Sequence, residues 1–151
     1  MSEGPPPRLR PVRRLADFDW EALRAAARAE GCGGLERLLA ELGEEGARDR
    51  RAGLWAIAAG GRAVAAAGVA PEPCPGWLGA ARLWAIYVHP DHRGRGFGHR
   101  LLARILRHLR GRFRRLTARV EDRPTASFLE HHGFVPLDDA CVSHFRLVGK
   151  G

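Results

Sequence analysis

The sequence predicts a single α+β domain with a mixed, mostly antiparallel sheet of six to seven strands and about four helices. Three observations carry that prediction. Gly60-Gly61 separates two apolar runs, a two-residue hairpin signal. Leu83-Trp84-Ala85-Ile86-Tyr87-Val88 is a branched and aromatic run that reads as a buried strand. Behind it comes the glycine-rich Arg93-Gly94-Arg95-Gly96-Phe97-Gly98, then Leu101, Leu102, Ile105, Leu106 and Leu109 at helical spacing, the crossover that a parallel strand pair requires.

Taken in order, Leu9 to Arg13 can form a short first strand, which Pro11 confines to an edge or a strand end. Asp17 or Asp19 can cap a helix through Trp20, Leu23, Ala26 and Ala27 to about Glu30, and Gly31-Cys32-Gly33-Gly34 stops it. A second helix sets Leu35, Leu38, Leu39 and Leu42 on one face. After the polar Gly46 to Gly53 segment, Leu54 to Ala59 and Ala63 to Val69 are the hairpin strands, and Pro71 to Gly76 is a loop. Beyond the central unit, Arg115 to Val120 reads as a strand. Thr125 to His132 is a short helix started by Pro124 and closed by Gly133, and Phe134-Val135 and Val142 to Val148 are the last strands.

A chain of 151 residues suits one domain covering 1–151, with residues 1–7 expected to be flexible. No apolar run approaches the roughly 18 residues of a membrane span, and the Pro-rich start lacks signal-peptide order, so a cytoplasmic location is expected. Cys32, Cys74 and Cys141 are odd in number and widely spaced, which points to buried reduced thiols rather than a disulfide framework or a metal site. There are 24 arginines against the single Lys150. Between His89 and Arg123, eleven arginines face three acidic residues, a surplus equal to the formal charge of +8 of the whole chain. That field suits an anionic ligand. Nucleic acid is a poor fit, because only Phe113 interrupts Arg100 to Arg119 where a single-strand platform would interleave aromatics.

The turn before the central helix is an anion site in kind, since a helix start leaves N–H groups unpaired and glycines let a phosphate approach the backbone. A Walker A loop would need a Gly-Lys-Ser/Thr ending, and this segment holds no lysine. A G-x-G-x-x-G fingerprint would need its third glycine at His99 or Leu101. What remains is Arg93-x-x-Gly96-x-Gly98 after a strand ending Val88-His89-Pro90, followed at the right distance by Thr125 to Gly133-Phe134.

These two segments resemble the acyl-CoA signature and the fourth helix of the GNAT superfamily of N-acyltransferases. The resemblance implies a fold in which two parallel strands splay apart, and transfer of an acetyl group from acetyl-CoA to a small-molecule or peptide amine by direct attack. It implies that Ile86, Tyr87, Val88, Arg93, Gly94, Arg95, Gly96, Phe97, Gly98, His99 and Phe128 hold the cofactor, with no metal. The backbone N–H near Val88, where the fourth strand of the family bulges, would receive the oxyanion. The chain departs from the family at Leu129, where a tyrosine acid is usual, at Asp122 or Arg123 in place of an asparagine, and at Thr117 in place of a glutamate base. Tyr87, Ser127, His131, His132 and His144 are the replacement donors, with Tyr87 and His132 foremost. Glu30, Glu44, Glu45, Glu72, Asp138 and Asp139 are the bases at hand, with an ordered water as the alternative. An acyl-CoA-binding module without turnover, or transfer to an RNA-linked amine, are the alternatives, and a monomer or homodimer is expected.

Overall fold

The computed structural model describes residues 6–42 and 51–149. The start through Pro5, Glu44 and Glu45, most of the polar segment before Gly53, and Lys150 lie outside those residues. The element order is β1 Arg8–Pro11, α1 Glu21–Ala29, α2 Gly34–Leu42, β2 Gly53–Ala59, β3 Arg62–Pro71, β4 Ala81–Val88, α3 Phe97–Leu109, β5 Arg115–Ala118, α4 Arg123–His131, β6 Val135–Pro136 and β7 His144–Leu147. Short 3-10 turns at Leu15–Asp17, Pro75–Trp77 and Pro90–His92 join them.

The seven strands form one sheet in the order β1-β2-β3-β4-β5-β7-β6, antiparallel throughout except for the parallel β4/β5 pair. Pro11 ends the edge strand β1, where its missing N–H breaks no ladder. Gly60 and Gly61 turn the β2/β3 hairpin with φ of 59° and 82°, the left-handed angles that such a turn needs. The N-cap of α1 is Trp20, with no side-chain cap bond, rather than Asp17 or Asp19; Asp19, one residue before it, accepts the Glu21 N–H through Oδ1 at 3.0 Å, and Asp17 ends the preceding 3-10 turn.

Side-chain alternation splits the core between the two faces of the sheet. Trp55, Ile57, Val64, Ala65, Ala67 and Leu83 pack with Leu101, Leu102, Ile105, Leu109 and Leu129 from α3 and α4. Leu54, Ala56, Ala63, Ala66 and Tyr87 pack with Leu23, Ala27, Leu35, Leu38 and Leu42 from α1 and α2. The alanine-rich β3 is buried on both faces, and at Gly68 a Cβ would meet Leu38 Cδ1 at 2.4 Å. Small side chains there let α2 sit close to the sheet.

A bulge on β4 decides where the site forms. Gly68 pairs with Ala85 but Val69 pairs with Leu83, so Trp84 is the extra residue. Without it, Leu83, Ala85 and Tyr87 would share a face. With it, Ile86 and Val88 join the α3/α4 side while Ala85 and Tyr87 turn to α1 and α2. The expected bulge near Val88 therefore lies earlier in the strand. The parallel pairing ends at the same place: Ala81, Arg82 and Leu83 pair with Leu116, Thr117 and Ala118, and nothing on β5 pairs with β4 beyond Leu83. The two strands part there into a V.

A buried ion pair closes the narrow end of the V. Glu72, its side chain fully buried, accepts from Arg82 Nε at 2.6 Å and from Thr117 Oγ1 at 2.9 Å, while Arg82 Nη2 donates to the Cys141 carbonyl at 3.2 Å. A charge at that depth persists only with such partners. Nearby, Cys74 and Cys141 form a disulfide with Cα atoms 6.4 Å apart, which corrects the expectation of buried reduced thiols. The loop after β3 and the loop before β7 meet on a small core of Trp77, Ala80 and Val142, an encounter that the 67-residue separation hides in the sequence. Cys32 alone is free, at the joint of α1 and α2.

Candidate active site

The open side of the V leads into a cleft of about 730 Å³ whose walls come from the α1/α2 joint, the outer half of β4, the glycine loop with the start of α3, and α4. Two backbone features face it. Along β4, the His89 N–H reaches the Val64 carbonyl at 2.8 Å, so alternation turns the N–H and C=O groups of Ile86 and Val88 to the opposite edge, where β5 has departed. At the loop, Gly94 and Gly96 both have φ of 80°, Gly96 is the N-cap of α3, and no side chain caps that end or places an acid in its first turn. The N–H groups of Phe97, Gly98 and His99 are left for an external acceptor.

Gly98 has a separate reason to be glycine. A Cβ there would lie 2.9 Å from the Phe128 ring, so α4 rests its aromatic face on the first turn of α3. Asp122 caps α4 by accepting the Thr125 N–H at 2.8 Å, and Pro124, Thr125, Phe128 and His132 share the helix face that lines the cleft. Leu129 points the other way and is fully buried among Leu101, Leu102 and Ile105. The expectation that Leu129 stands in the cleft in place of an acid is thereby corrected: one residue along a helix is about 100° of rotation, and the cleft side belongs to Phe128.

Facing the loop across the cleft, Glu30 ties three elements together. Its carboxylate accepts the Tyr87 hydroxyl and both terminal nitrogens of Arg93, with Arg93 Nη1 2.9 Å from Oε2. Arg93 Nε donates to the Val88 carbonyl at 3.2 Å, and its guanidinium lies 5.6 Å from the centre of the Tyr87 ring. Arg93 and then Tyr87 hold the Glu30 carboxyl below its ordinary range, while burial and then the Glu30 carboxylate push the Tyr87 phenol well above its own. The phenol therefore keeps its proton. Arg93, expected to hold the cofactor, lines the cleft and pairs with Glu30.

At the other end of the cleft, His132 Nδ1 faces the Phe128 carbonyl at 2.8 Å and its Nε2 lies 3.2 Å from His99 Nδ1. His92, stacked on Phe97, is kept below its ordinary titration range by burial and then by Arg95, whose Nη1 is 3.5 Å from it.

Of the residues expected to hold a ligand, Ile86, Tyr87, Val88, Arg93, Gly94, Gly96, Phe97, Gly98, His99 and Phe128 line this cleft, as does His132. Arg95 does not. His144 is buried between Glu130 Oε2 at 2.8 Å and Ser143 at 3.0 Å, and Thr117 and Glu72 sit at the closed end of the V, so none of the three faces it. Ser127, His131, Asp138 and Asp139 are also outside, leaving Glu30 as the cleft carboxylate among the described base candidates. Cys32 and Asp122, missed as lining residues, come from helix ends whose approach to the cleft no local pattern announces. A second hollow of about 680 Å³, near the starts of β4 and β5, has no carboxylate, imidazole or thiol in its lining.

Comparison with known proteins agrees with this geometry. The model of the Acetyltransferase (GNAT) family matches residues 14–134. An N-acetyltransferase named ycf52, from Gracilaria tenuistipitata var. liui, is 31% identical over 65 residues, which span 43% of this chain and about a third (36%) of that relative. Among solved structures, a protein from Exiguobacterium sp. 255-15 named as an acetyltransferase superposes with a TM-score of 0.81 at 22% identity, over 92% of this chain and 91% of that one. AtaTR bound with AcCoA superposes with a TM-score of 0.66 at 14% identity, over 95% and 94%. These likenesses show a shared fold, and the family match over most of the sequence shows descent: the chain belongs to the acetyltransferase (GNAT) family.

Proposed function

We propose that this protein transfers an acetyl group from acetyl-CoA to the amine of a small molecule or peptide. The observation that carries the reading is the convergence, on one cleft, of an uncapped helix start and a strand edge that β5 has left. Acetyl-CoA supplies a diphosphate for the first and an amide-bearing arm for the second. The N–H groups of residues 94 to 99 suit the diphosphate, because φ of 80° at Gly94 and Gly96 with no atom within 4 Å of either missing Cβ leaves the backbone approachable. Phe128 walls the same stretch, and Arg95 adds to the attracting field from outside.

Acyl transfer then needs an N–H donor where the thioester oxygen gains charge, and the Val88 N–H, fixed on the strand edge, supplies it. Tyr87 acts on the departing thiolate. Its single hydroxyl hydrogen is held by Glu30, and its raised pKa makes complete proton transfer to a thiolate, the weaker base, uphill, so it serves by turning that hydrogen from the carboxylate to the sulfur as a hydrogen bond rather than by releasing a proton. The acceptor enters past the α1/α2 joint, where Glu30 and Cys32 form the wall. No helix among the described residues is long and apolar enough to cross a membrane, and a cytoplasmic site of action goes with this donor.

The test is release of free CoA thiol from acetyl-CoA across a panel of amines. Release that depends on the amine and falls in Tyr87→Phe at constant acetyl-CoA affinity supports the reading. Tight acetyl-CoA binding with no release for any amine makes the protein a binding module instead.

A further inference from the structure

The cleft holds two histidines whose geometry the transfer step does not use. They stand at the start of α3 and the end of α4, beside the loop assigned to the diphosphate, with ring centres 5.4 Å apart. A carbonyl can only accept, so the 2.8 Å contact with Phe128 O places a hydrogen on His132 Nδ1. Neutral His132 then has a bare Nε2, and the 3.2 Å contact makes His99 Nδ1 the donor to it. Neutral His99 in turn has a bare Nε2. Of the four ring nitrogens, this one alone can take a proton without breaking a hydrogen bond.

From this arrangement, and on the reading that the loop binds CoA, we propose that His99 and His132 form a proton-linked phosphate clamp: CoA binding draws one proton from solvent onto His99 Nε2, and His132 holds that ring in place. The surroundings of the pair are cationic: the positive start of α3, and Arg95 and Arg100 of the loop and helix. Arg146 of β7 joins them, its Nη1 donating to the His132 carbonyl at 2.6 Å. On the α4 side, Glu130 is already paired with His144 and Arg123, and Asp122 caps its own helix, while His131 is exposed. His92, the remaining imidazole of the cleft, is directed to Phe97 and Arg95. An arriving diphosphate reverses the local field, and imidazole is the side chain able to answer near neutral pH. His132 is thus a positioning residue for phosphate recognition rather than a proton donor in the transfer step.

Calorimetric titration of the full chain with CoA, repeated in two buffers of different ionisation enthalpy, reads the proton directly. At pH 7 the wild type is expected to take up about half a proton or more per CoA bound, and His99→Gln close to none. The ratio of wild-type to His99→Gln affinity should grow about tenfold between pH 8 and pH 6. His132→Gln should reduce the uptake with a smaller change in affinity at pH 8. Wild-type binding without uptake, or equal uptake in His99→Gln from the titration of the CoA phosphate itself, overturns the inference and leaves the cofactor assignment standing. Failure of the wild type to bind CoA at any pH overturns the cofactor assignment instead.

Discussion

Phe128 of α4 lies against Gly98 of α3 so closely that a Cβ on the glycine would approach the ring to 2.9 Å. The contact joins the helix that offers its N–H groups to the one that walls the cleft. Gly98→Ala sets two effects against each other. Alanine favours a helix over glycine by roughly 0.5–1 kcal/mol, and overpacking costs about 1–3 kcal/mol where nothing can move. Here the obstructing atoms are the far edge of a ring beside an open cleft, so the ring can shift. Stability by urea denaturation should change by no more than about 1 kcal/mol, while CoA affinity falls about tenfold as the ring enters the cleft. Adding Phe128→Leu should restore much of that affinity.

Tyr87 is the only tyrosine in the chain, so an ultraviolet titration of the phenol reads it alone. Its midpoint should lie well above the ordinary value of about 10, and Glu30→Gln should lower it in part, since burial, the larger cause, remains. Because the folded pKa is raised, the associated stability is present below pH 10 and lost as pH climbs through the folded value.

Glu30 works in the opposite sense. Its folded pKa is depressed, so its stabilisation is full above the unfolded value of about 4.3 and disappears as pH falls through the folded one. Denaturation curves between neutrality and pH 3 should show a shallower loss in Glu30→Gln than in the wild type. Identical slopes would mean that the Glu30 to Arg93 contact is formed equally in the unfolded chain or not at all.

The Cys74 to Cys141 link predicts one thiol reactive without reductant, Cys32, and three with it. Reduction should lower unfolding free energy by roughly 2–4 kcal/mol, the range for closing a long loop. CoA affinity should hold, because neither cysteine of the link lines the cleft. Three reactive thiols in the native unreduced protein would contradict the pairing.

The element order and most cleft residues from Ile86 to His99 were legible in the sequence because strand, glycine turn and helix are contiguous there and local periodicity fixes local geometry, though His92 was missed and Arg95 stands outside. The face of α4 was not, since Phe128 and Leu129 are both large and apolar and only the packing of Leu129 on α3 decides between them. Nor was the bulge at Trp84, because an uninterrupted apolar run conceals a change of phase. The Glu30 to Arg93 contact spans 63 residues and the disulfide spans 67. Both arise from topology, which brings together loops that carry no sign of each other.

The central claim is that the backbone of the 94 to 99 loop binds acetyl-CoA, and Gly96 tests it with least ambiguity. Its φ of 80° disfavours any β-branched residue by about 1–2 kcal/mol, yet no atom lies within 4 Å of the missing Cβ, so the fold should survive Gly96→Val. Calorimetric titration with acetyl-CoA should show binding by the wild type and affinity at least about tenfold weaker in the folded variant. Equal affinity in the two proteins, or no binding by the wild type, would contradict the account.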